Sequence, residues 1–159
     1  MAINDEDLGH LRRCVELAQA ALDAGDEPFG SLLVDADGHV RFEDHNRVKD
    51  GDETRHPEFE IARWSTTNLS PAERVRATVY TSGEHCPMCS AAHAWVGLGR
   101  IVYATSSKQL TEWRSEWGCA PSPVAPLPIS AVAPGIEVDG PAPELSDAMK
   151  ALYEAKFRP

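Results

Sequence analysis

Two short motifs constrain this chain more than any other feature of its sequence. The first is His56-Pro57-Glu58, and the second is Cys86-Pro87-Met88-Cys89. Each falls at the predicted first turn of a helix that follows a loop or a strand, and Pro57 suits the first helical position because its missing N–H costs nothing there. An H-x-E or a C-x-x-C is weak evidence alone, but two such motifs at two helix starts are far more specific.

The two motifs together predict a metal site made of His56, Cys86 and Cys89. Thiolates at a helix N-terminus face the positive end of the helix dipole, which lowers their pKa and suits them to a cation. One imidazole and two thiolates leave the fourth tetrahedral position of a zinc ion open. A purely structural zinc site would close that position with a further Cys or His, and His85 is too close in sequence to Cys86 to share one tetrahedral ion.

Glu58 is the natural proton carrier of such a site, since it stands two residues after His56. Zinc that bears two thiolates is a softer Lewis acid than zinc with three imidazoles, so a nearby base helps to deprotonate a bound water. A carboxylate is also favourable at any helix N-terminus without a catalytic role. The presence of the C-x-x-C motif favours the catalytic interpretation.

The apolar pattern along the chain predicts a mixture of helices and strands. Apolar residues recur at helical spacing over residues 8–22, namely Leu8, Leu11, Val15, Ala18 and Leu22, and Asn4 or Asp5 can cap the start of this helix and Gly25 its end. The elements that follow are a hairpin of strands 31–34 and 39–45, a helix over 56–68, a strand over 76–81, a helix over 86–98 and a strand over 101–104. This order predicts an α/β sandwich with helices covering a mostly buried sheet.

The C-terminal part of the chain has a different composition, rich in proline. Seven prolines between residues 119 and 143 forbid long regular structure, although residues 135–138 could form a short strand. Leu145, Met149 and Leu152 then predict a last amphipathic helix over 144–157. A chain of 159 residues suits a single domain. We therefore expect one zinc-dependent domain over 1–159 that includes this Pro-rich segment and the C-terminal helix.

Charge and hydropathy restrict the partners. The chain has 25 acidic and 15 basic residues, a formal net charge of −10, which disfavours a nucleic acid or an anionic membrane surface as partner. No apolar run approaches the roughly 18–20 residues that span a bilayer, and the N-terminus lacks the pattern of a secretory signal. These features, with a C-x-x-C suited to metal or redox chemistry, lead us to expect a cytoplasmic protein.

The two motifs resemble the signature H-x-E…P-C-x-x-C of the cytidine-deaminase-like superfamily, whose members are zinc-dependent nucleobase and nucleoside deaminases. Residues 81–89, T-S-G-E-H-C-P-M-C, are similar to the T-S-x-E-P-C-P-M-C of bacterial guanine deaminases and tRNA adenosine deaminases. Pro28-Phe29-Gly30, Asn46 and Ala92-x-x-Trp95 extend the resemblance, which covers roughly residues 8–105. It implies a three-layer α/β/α sandwich with a mixed five-stranded sheet, a zinc cofactor and a homodimer.

The resemblance also implies roles for residues outside the two motifs. Asn46 would hydrogen-bond the edge of the substrate base and Phe29 would stack on its face, although Phe29 could instead be a plug of the core. Guanine-deaminase-like proteins use acidic groups near the C-terminus as a second proton shuttle, and here Glu154 is available. A carboxylate on a final amphipathic helix is otherwise typical of a solvated face.

The sequence leaves two possible roles open for each of three further side chains. His85 replaces the usual proline before the first cysteine, and either points to solvent or reaches the substrate pocket. Trp113 and Trp117, which we predict in a loop after the fourth strand, either wall the pocket or pack in the core.

The function that follows is a zinc-dependent hydrolytic deaminase that releases ammonia from a small amino-substituted heterocycle. A guanine- or cytosine-like free base or an aminotriazine would be the substrate, and Glu58 would move the protons. The alternatives are a tRNA adenosine or nucleoside deaminase, which the negative charge disfavours, and a zinc-stabilised interaction module, which would need four protein ligands and no poised glutamate.

Overall fold

A computed structural model describes residues 2–159 as a five-stranded sheet with helices on both faces. The strands are β1 Gly30–Val34, β2 Val40–His45, β3 Thr78–Gly83, β4 Ile101–Thr105 and β5 Val138–Asp139. The helices are α1 Asp5–Asp23, α2 Pro57–Asn68, α3 Pro71–Val75, α4 Pro87–Trp95, α5 Ser107–Glu116, α6 Ile129–Val132 and α7 Ser146–Phe157. None of the helices formed by residues 2–159 is long and apolar enough to cross a membrane.

The sheet is mixed, with the strand order β2-β1-β3-β4-β5. β1 runs antiparallel to both β2 and β3, whereas β3, β4 and β5 are parallel. The register places Ser31 of β1 opposite Thr81 of β3. Because β3 is parallel to β4 and antiparallel to β1, the end of β3, the end of β4 and the start of β1 meet at one edge of the sheet.

Two apolar layers fix the helices to the sheet. The larger cluster joins α1 and α7 to one face and includes Leu11, Leu32 and Met149. The second cluster, which includes Leu33 and Ile61, joins α2 and α4 to the other face. Leu32 and Leu33 lie in opposite clusters because successive side chains of a strand point to opposite faces. The predicted three-layer α/β/α sandwich with a mixed five-stranded sheet is confirmed.

The helix that covers β1 is set by local signals that the sequence carries. Asn4 caps α1 and forms a reciprocal capping box with Asp7, as its position predicts. Gly25 follows the end of α1 with a φ of +90°, a conformation that glycine adopts without strain. At Gly30 a Cβ would lie 2.5 Å from the carbonyl oxygen of Cys14, so the backbone of β1 can approach α1 closely only because this residue is glycine.

The structure differs from the sequence prediction in several elements. The segment with Trp113 is not a loop but the helix α5, whose N-cap Ser106 forms a capping box with Gln109. β3 begins two residues later than predicted, because Arg76 ends the short helix α3. The Pro-rich segment contributes the two-residue strand β5 at Val138–Asp139, which only overlaps the predicted strand over 135–138.

Candidate metal and catalytic site

The predicted metal ligands converge at the edge of the sheet where β3 ends. His56 is the N-cap of α2 and Cys86 the N-cap of α4, and each is followed by a proline at the first helical position. Neither side chain caps its own helix, so both are free to point between the two helix starts. Nδ1 of His56 lies 3.5 Å from Sγ of Cys86 and 3.5 Å from Sγ of Cys89.

These three donor atoms fit a zinc ion. Zinc–sulfur bonds of about 2.3 Å and zinc–nitrogen bonds of about 2.1 Å in a tetrahedral arrangement separate the two ligand atoms by about 3.6 Å. The separations of 3.5 Å agree with this value, and the ligand atoms of all three residues lie within 4.8 Å of one another. The soft thiolates and the imidazole are the donors that zinc prefers, and three of them leave one position open.

The electrostatics of this set suit a cation. A hydrogen bond from Cys89, followed by one from His56, lowers the pKa of Cys86 to about 4. Cys86 also stands at the N-terminus of α4, where the helix dipole favours a negative charge. A thiolate therefore forms at neutral pH, and the thiolate is the form that binds metals.

Glu58 lies in the first turn of α2, beside the ligand set, and is 6% exposed. Burial raises the pKa of its carboxyl, against the opposing influence of His56 and of a hydrogen bond from Ser31. A buried carboxyl with a raised pKa holds a proton more readily than an exposed one, as a group that carries protons requires. This is the property that the sequence predicts for the proton carrier.

Two hydroxyl groups contact Glu58 that sequence reasoning missed. Oγ of Ser31 lies 2.9 Å from Oε1 of Glu58, and Oγ1 of Thr81 lies 2.8 Å from the same hydroxyl of Ser31. Both residues are fully buried. A polar residue inside an otherwise apolar strand pattern is the one signal in the sequence that could have indicated them.

Asn46 is buried at the start of the loop that follows β2. Its Oδ1 accepts hydrogen bonds from the backbone N–H of Glu27 at 3.2 Å and of Val48 at 3.1 Å. Both bonds use the oxygen, so they fix the orientation of the amide and leave its NH2 group as the free donor. The geometry thus agrees with a side chain that donates to an acceptor on a substrate.

Phe29 belongs to an aromatic cluster that joins the start of β1 to α5 and α7. Its ring centroid lies 5.5 Å from that of Tyr153 and 6.3 Å from that of Phe157, and Trp113 lies 6.1 Å from Tyr153. Oη of Tyr153 is 3.0 Å from Oγ1 of Thr105 and would be 2.9 Å from a Cβ at Gly83. The cluster therefore covers the end of β3, three residues before the first cysteine ligand.

Trp113 is part of this cluster through its contact with Tyr153, and Nζ of Lys150 lies over its ring, 5.7 Å from the centroid. The indole is partly buried against the core. It consequently packs between α5 and α7, and its predicted role as a pocket wall stays a prediction.

Two predicted site residues make their contacts elsewhere. The carboxylate of Glu154 pairs with Arg158 one turn along α7, with 42% of its side chain exposed, whereas the adjacent Tyr153 is the residue that points inwards. The ring of His85 is fully buried and packs edge-on against His93 of α4 at 5.4 Å, so it points neither to solvent nor to an open pocket.

The part of the chain that carries this site matches a known protein family. A family profile described as "Cytidine and deoxycytidylate deaminase zinc-binding region" matches residues 4–105, which include every residue of the ligand set and Glu58. The chain belongs to this cytidine and deoxycytidylate deaminase family. Members of the family are zinc-dependent hydrolytic deaminases, and the chain is accordingly a deaminase of this family.

Relatives within the deaminase family act on different bases. The chain is 35% identical to a probable cytosine deaminase of Schizosaccharomyces pombe, over 85% of this chain and 88% of that protein. It is 34% identical to the guanine deaminase of Bacillus subtilis, over 64% of this chain and 66% of that protein. The solved guanine deaminase of Nitrosomonas europaea shares the fold with a TM-score of 0.71 and 23% identity, over 96% of this chain and 85% of that one.

Proposed function

We propose that this deaminase releases ammonia by hydrolysis from a small, free amino-substituted heterocycle, either a nucleobase of the cytosine or guanine type or an aminotriazine. The observation that carries the proposal is the buried carboxyl of Glu58 beside an open His-Cys-Cys ligand set. The similarity to a probable cytosine deaminase and to a guanine deaminase supports this class of substrate.

His56, Cys86 and Cys89 would hold the zinc ion of this reaction. When bound, zinc supplies a Lewis acid that makes water a stronger acid and a better nucleophile at neutral pH. Glu58 takes a proton from the attacking water and delivers it to a ring nitrogen of the substrate. It then moves the second proton to the departing ammonia as the C–N bond breaks.

Asn46 and Phe29 orient the substrate in this proposal. The NH2 group of Asn46 is free to donate, because its oxygen is occupied by two backbone N–H groups. It would bind a ring nitrogen or a carbonyl oxygen on the edge of the heterocycle. The ring of Phe29 is held from behind by Tyr153 and Phe157, which leaves it as a firm apolar surface for the face of the heterocycle.

A small free base is favoured over a polynucleotide by the charges of the molecule. The net charge is −10, and most arginines already pair with carboxylates, as Arg13 does with Glu43 and Arg55 with Glu60. Binding of tRNA would need several unpaired cations along one track, because each phosphate contact depends on one. The aromatic cluster at the end of β3 further favours a compact ligand over one that carries a ribose.

We also propose that the protein forms a homodimer through the outer face of α4. Trp95 on this helix is 87% exposed, the most exposed of the large apolar side chains among residues 2–159. α4 carries no Asp, Glu, Lys or Arg, so two copies could meet there without the repulsion that a net charge of −10 imposes elsewhere.

A reducing compartment suits the same site. All four cysteines are free, and two of them must remain thiolates to bind zinc. We propose the cytoplasm for this reason, since disulfides form in oxidising compartments.

The proposal is tested by an ammonia-release assay with cytosine, guanine and an aminotriazine. We expect at least one of these free bases to be turned over, and Glu58→Gln to lower the rate by about 10²–10⁴-fold, because an amide cannot carry the protons. The matched control is Glu60→Gln, which neutralises a partly exposed neighbour that pairs with Arg55. A Glu58→Gln protein with wild-type turnover, or a zinc-loaded wild type that releases no ammonia from any of the three, would contradict the proposal.

A further inference from the structure

Two buried hydroxyl groups stand side by side next to the proton carrier. Ser31 on β1 and Thr81 on β3 lie opposite each other in the antiparallel register, and neither is exposed to solvent. A buried hydroxyl is destabilising unless it forms hydrogen bonds, so the partners of these two groups must account for their position.

The hydrogen bonds form a row that ends on Glu58. Oγ1 of Thr81 lies 2.9 Å from the carbonyl oxygen of Gly83. Oγ of Ser31 lies 2.8 Å from Oγ1 of Thr81 and 2.9 Å from Oε1 of Glu58. Thr81 itself is 3.4 Å from the same Oε1, at the limit of a hydrogen bond. Both hydroxyl contacts of the carboxyl therefore fall on one of its two oxygens.

The available protons determine the direction of these bonds. Each hydroxyl has one proton to donate, and a backbone carbonyl can only accept. The proton of Ser31 is best used on Oε1 of Glu58, so the 2.8 Å contact between the two hydroxyls uses the proton of Thr81, which is shared with the carbonyl oxygen of Gly83. A hydrogen bond to a carboxylate is also stronger than one to a neutral hydroxyl, which favours the same direction.

We propose that Ser31, supported by Thr81, is a positioning residue that holds Oε1 of Glu58 and leaves Oε2 as the oxygen that moves protons during deamination. This inference rests on the function proposed above for Glu58. A glutamate side chain has three rotatable bonds, and a catalytic group must be held within about 0.5 Å of its productive position. The hydroxyl of Ser31 restricts these rotations by fixing one oxygen between β1 and β3.

The first test compares Ser31→Ala with Ser65→Ala. Ser65 is an equally buried serine on α2, the helix of Glu58, but its hydroxyl bonds only to the carbonyl oxygen of Ala62. With cytosine and guanine as substrates, we expect Ser31→Ala to lower kcat roughly 10- to 100-fold with KM within about twofold of wild type. Ser65→Ala should keep the wild-type kcat. Both variants should keep the zinc content of wild type.

A structural readout that does not depend on activity accompanies this test. In crystal structures, we expect the carboxyl of Glu58 in a single conformation in Ser65→Ala and in more than one conformation in Ser31→Ala. A carboxyl that keeps its place in Ser31→Ala, or a kcat within twofold of wild type in that variant, would overturn the inference.

A double-mutant cycle separates positioning from a general structural effect. If Ser31 acts through Glu58, Ser31→Ala should cause no further loss of rate in the Glu58→Gln background. An equal fractional loss in both backgrounds would overturn the inference. Wild-type activity of Glu58→Gln alone would instead remove the proposed function, so the two failures are distinguishable.

Thr81 offers a second pair of variants in case Ser31→Ala does not fold. Thr81→Ser keeps the hydroxyl, whereas Thr81→Val keeps the shape and removes it. We expect Thr81→Ser to stay within about twofold of the wild-type kcat and Thr81→Val to lose activity, since Ser31 would then lose its hydrogen bond with Thr81. Equal kcat values for the two variants would contradict the supporting role of Thr81.

Discussion

The ligands of the metal site come from two helix starts, so their separation is fixed by backbone rather than by flexible side chains. His56 and Cys86 are N-caps, and Cys89 is fully buried in the first turn of α4. Because the positions are rigid, no neighbouring residue can take the place of a lost ligand. Among residues 2–159, the nearest further histidine in sequence, His85, is turned towards His93.

Removal of one thiolate should therefore release the metal. We expect wild type to carry about one zinc per chain and Cys86→Ala to lose most of it, because two ligands hold zinc far more weakly than three. The measurement is elemental analysis of the purified proteins. Cys119→Ala is the control, since Cys119 only donates to the carbonyl oxygen of Phe157. Full zinc occupancy in Cys86→Ala would show that the ligand set is wrong.

The sequence predicted the residues that belong to motifs and missed those that depend on tertiary contacts. The position of His56, Cys86, Cys89 and Glu58 follows from their place at helix starts. Glu154 was predicted at the site, but adjacent residues of a helix point about 100° apart. The structure turns Tyr153 inwards and leaves its neighbour with Arg158. Which face of α7 meets the sheet depends on the packing of α1 and α5, which no local pattern records.

At the level of elements, α1 packs very closely against β1 at Gly30, the first residue of the strand. A Cβ at Gly30 would lie 2.5 Å from the carbonyl oxygen of Cys14 and 2.5 Å from Cβ of Leu17. Both atoms belong to the middle of a long helix, so they cannot move alone.

We expect Gly30→Ala to lower the free energy of unfolding by about 1–3 kcal/mol, since α1 must shift away from β1. The control is Gly9→Ala in α1, where a Cβ meets no atom within 4 Å. That change should leave stability unchanged or raise it by up to about 1 kcal/mol, because alanine is the better helix former. Urea unfolding measures both, and equal stability of the two variants would contradict the close packing.

The junction of α4 with β4 should make stability depend on pH. His93 of α4 is buried, its Nε2 lies 2.7 Å from the carbonyl oxygen of Gly99, and burial lowers the pKa of the ring to about 4. In the unfolded chain the pKa is about 6.5, so the unfolded state binds the proton first as the pH falls. The contribution of neutral His93 is therefore complete above about pH 6.5 and lost by about pH 4.

We expect the free energy of unfolding to fall by about 2 kcal/mol between pH 7 and pH 5 through His93. His93→Gln, which keeps a donor for the carbonyl of Gly99 but does not titrate, should show a drop smaller by that amount. Urea unfolding of both proteins at the two pH values provides the comparison, and the metal ligands titrate equally in both. Parallel pH profiles would contradict the prediction.

Two elements that the sequence predicted only poorly have physical reasons of their own. α5 was predicted as a loop, although Ser106 and Gln109 carry the S-x-x-Q pattern of a capping box that indicates a helix start. β5 has only two residues, and its pairing with β4 rather than any local propensity makes it a strand. Long-range partners decide such short strands, and a pattern of single residues does not contain them.

At the scale of the whole molecule, we expect substitution of Trp95 on the exposed face of α4 to convert a dimer into a monomer. Light scattering at micromolar concentration should give a dimer for wild type and the 17.3 kDa monomer for Trp95→Glu, because a buried charge on each copy would separate the two helices. Val40→Glu, at another exposed apolar residue on β2, should remain a dimer. A monomeric wild type would refute the predicted dimer.

The central claim is that this acidic protein selects free bases through a compact aromatic site. A comparison of substrates of different size tests this claim most directly. The measurement is kcat/KM for cytosine and guanine against cytidine and guanosine, and against adenosine in a tRNA anticodon stem. We predict that at least one free base exceeds its nucleoside by 10-fold or more, as about 1.4 kcal/mol of selective binding would give. Faster turnover of a nucleoside or of the tRNA stem than of every free base would contradict the account.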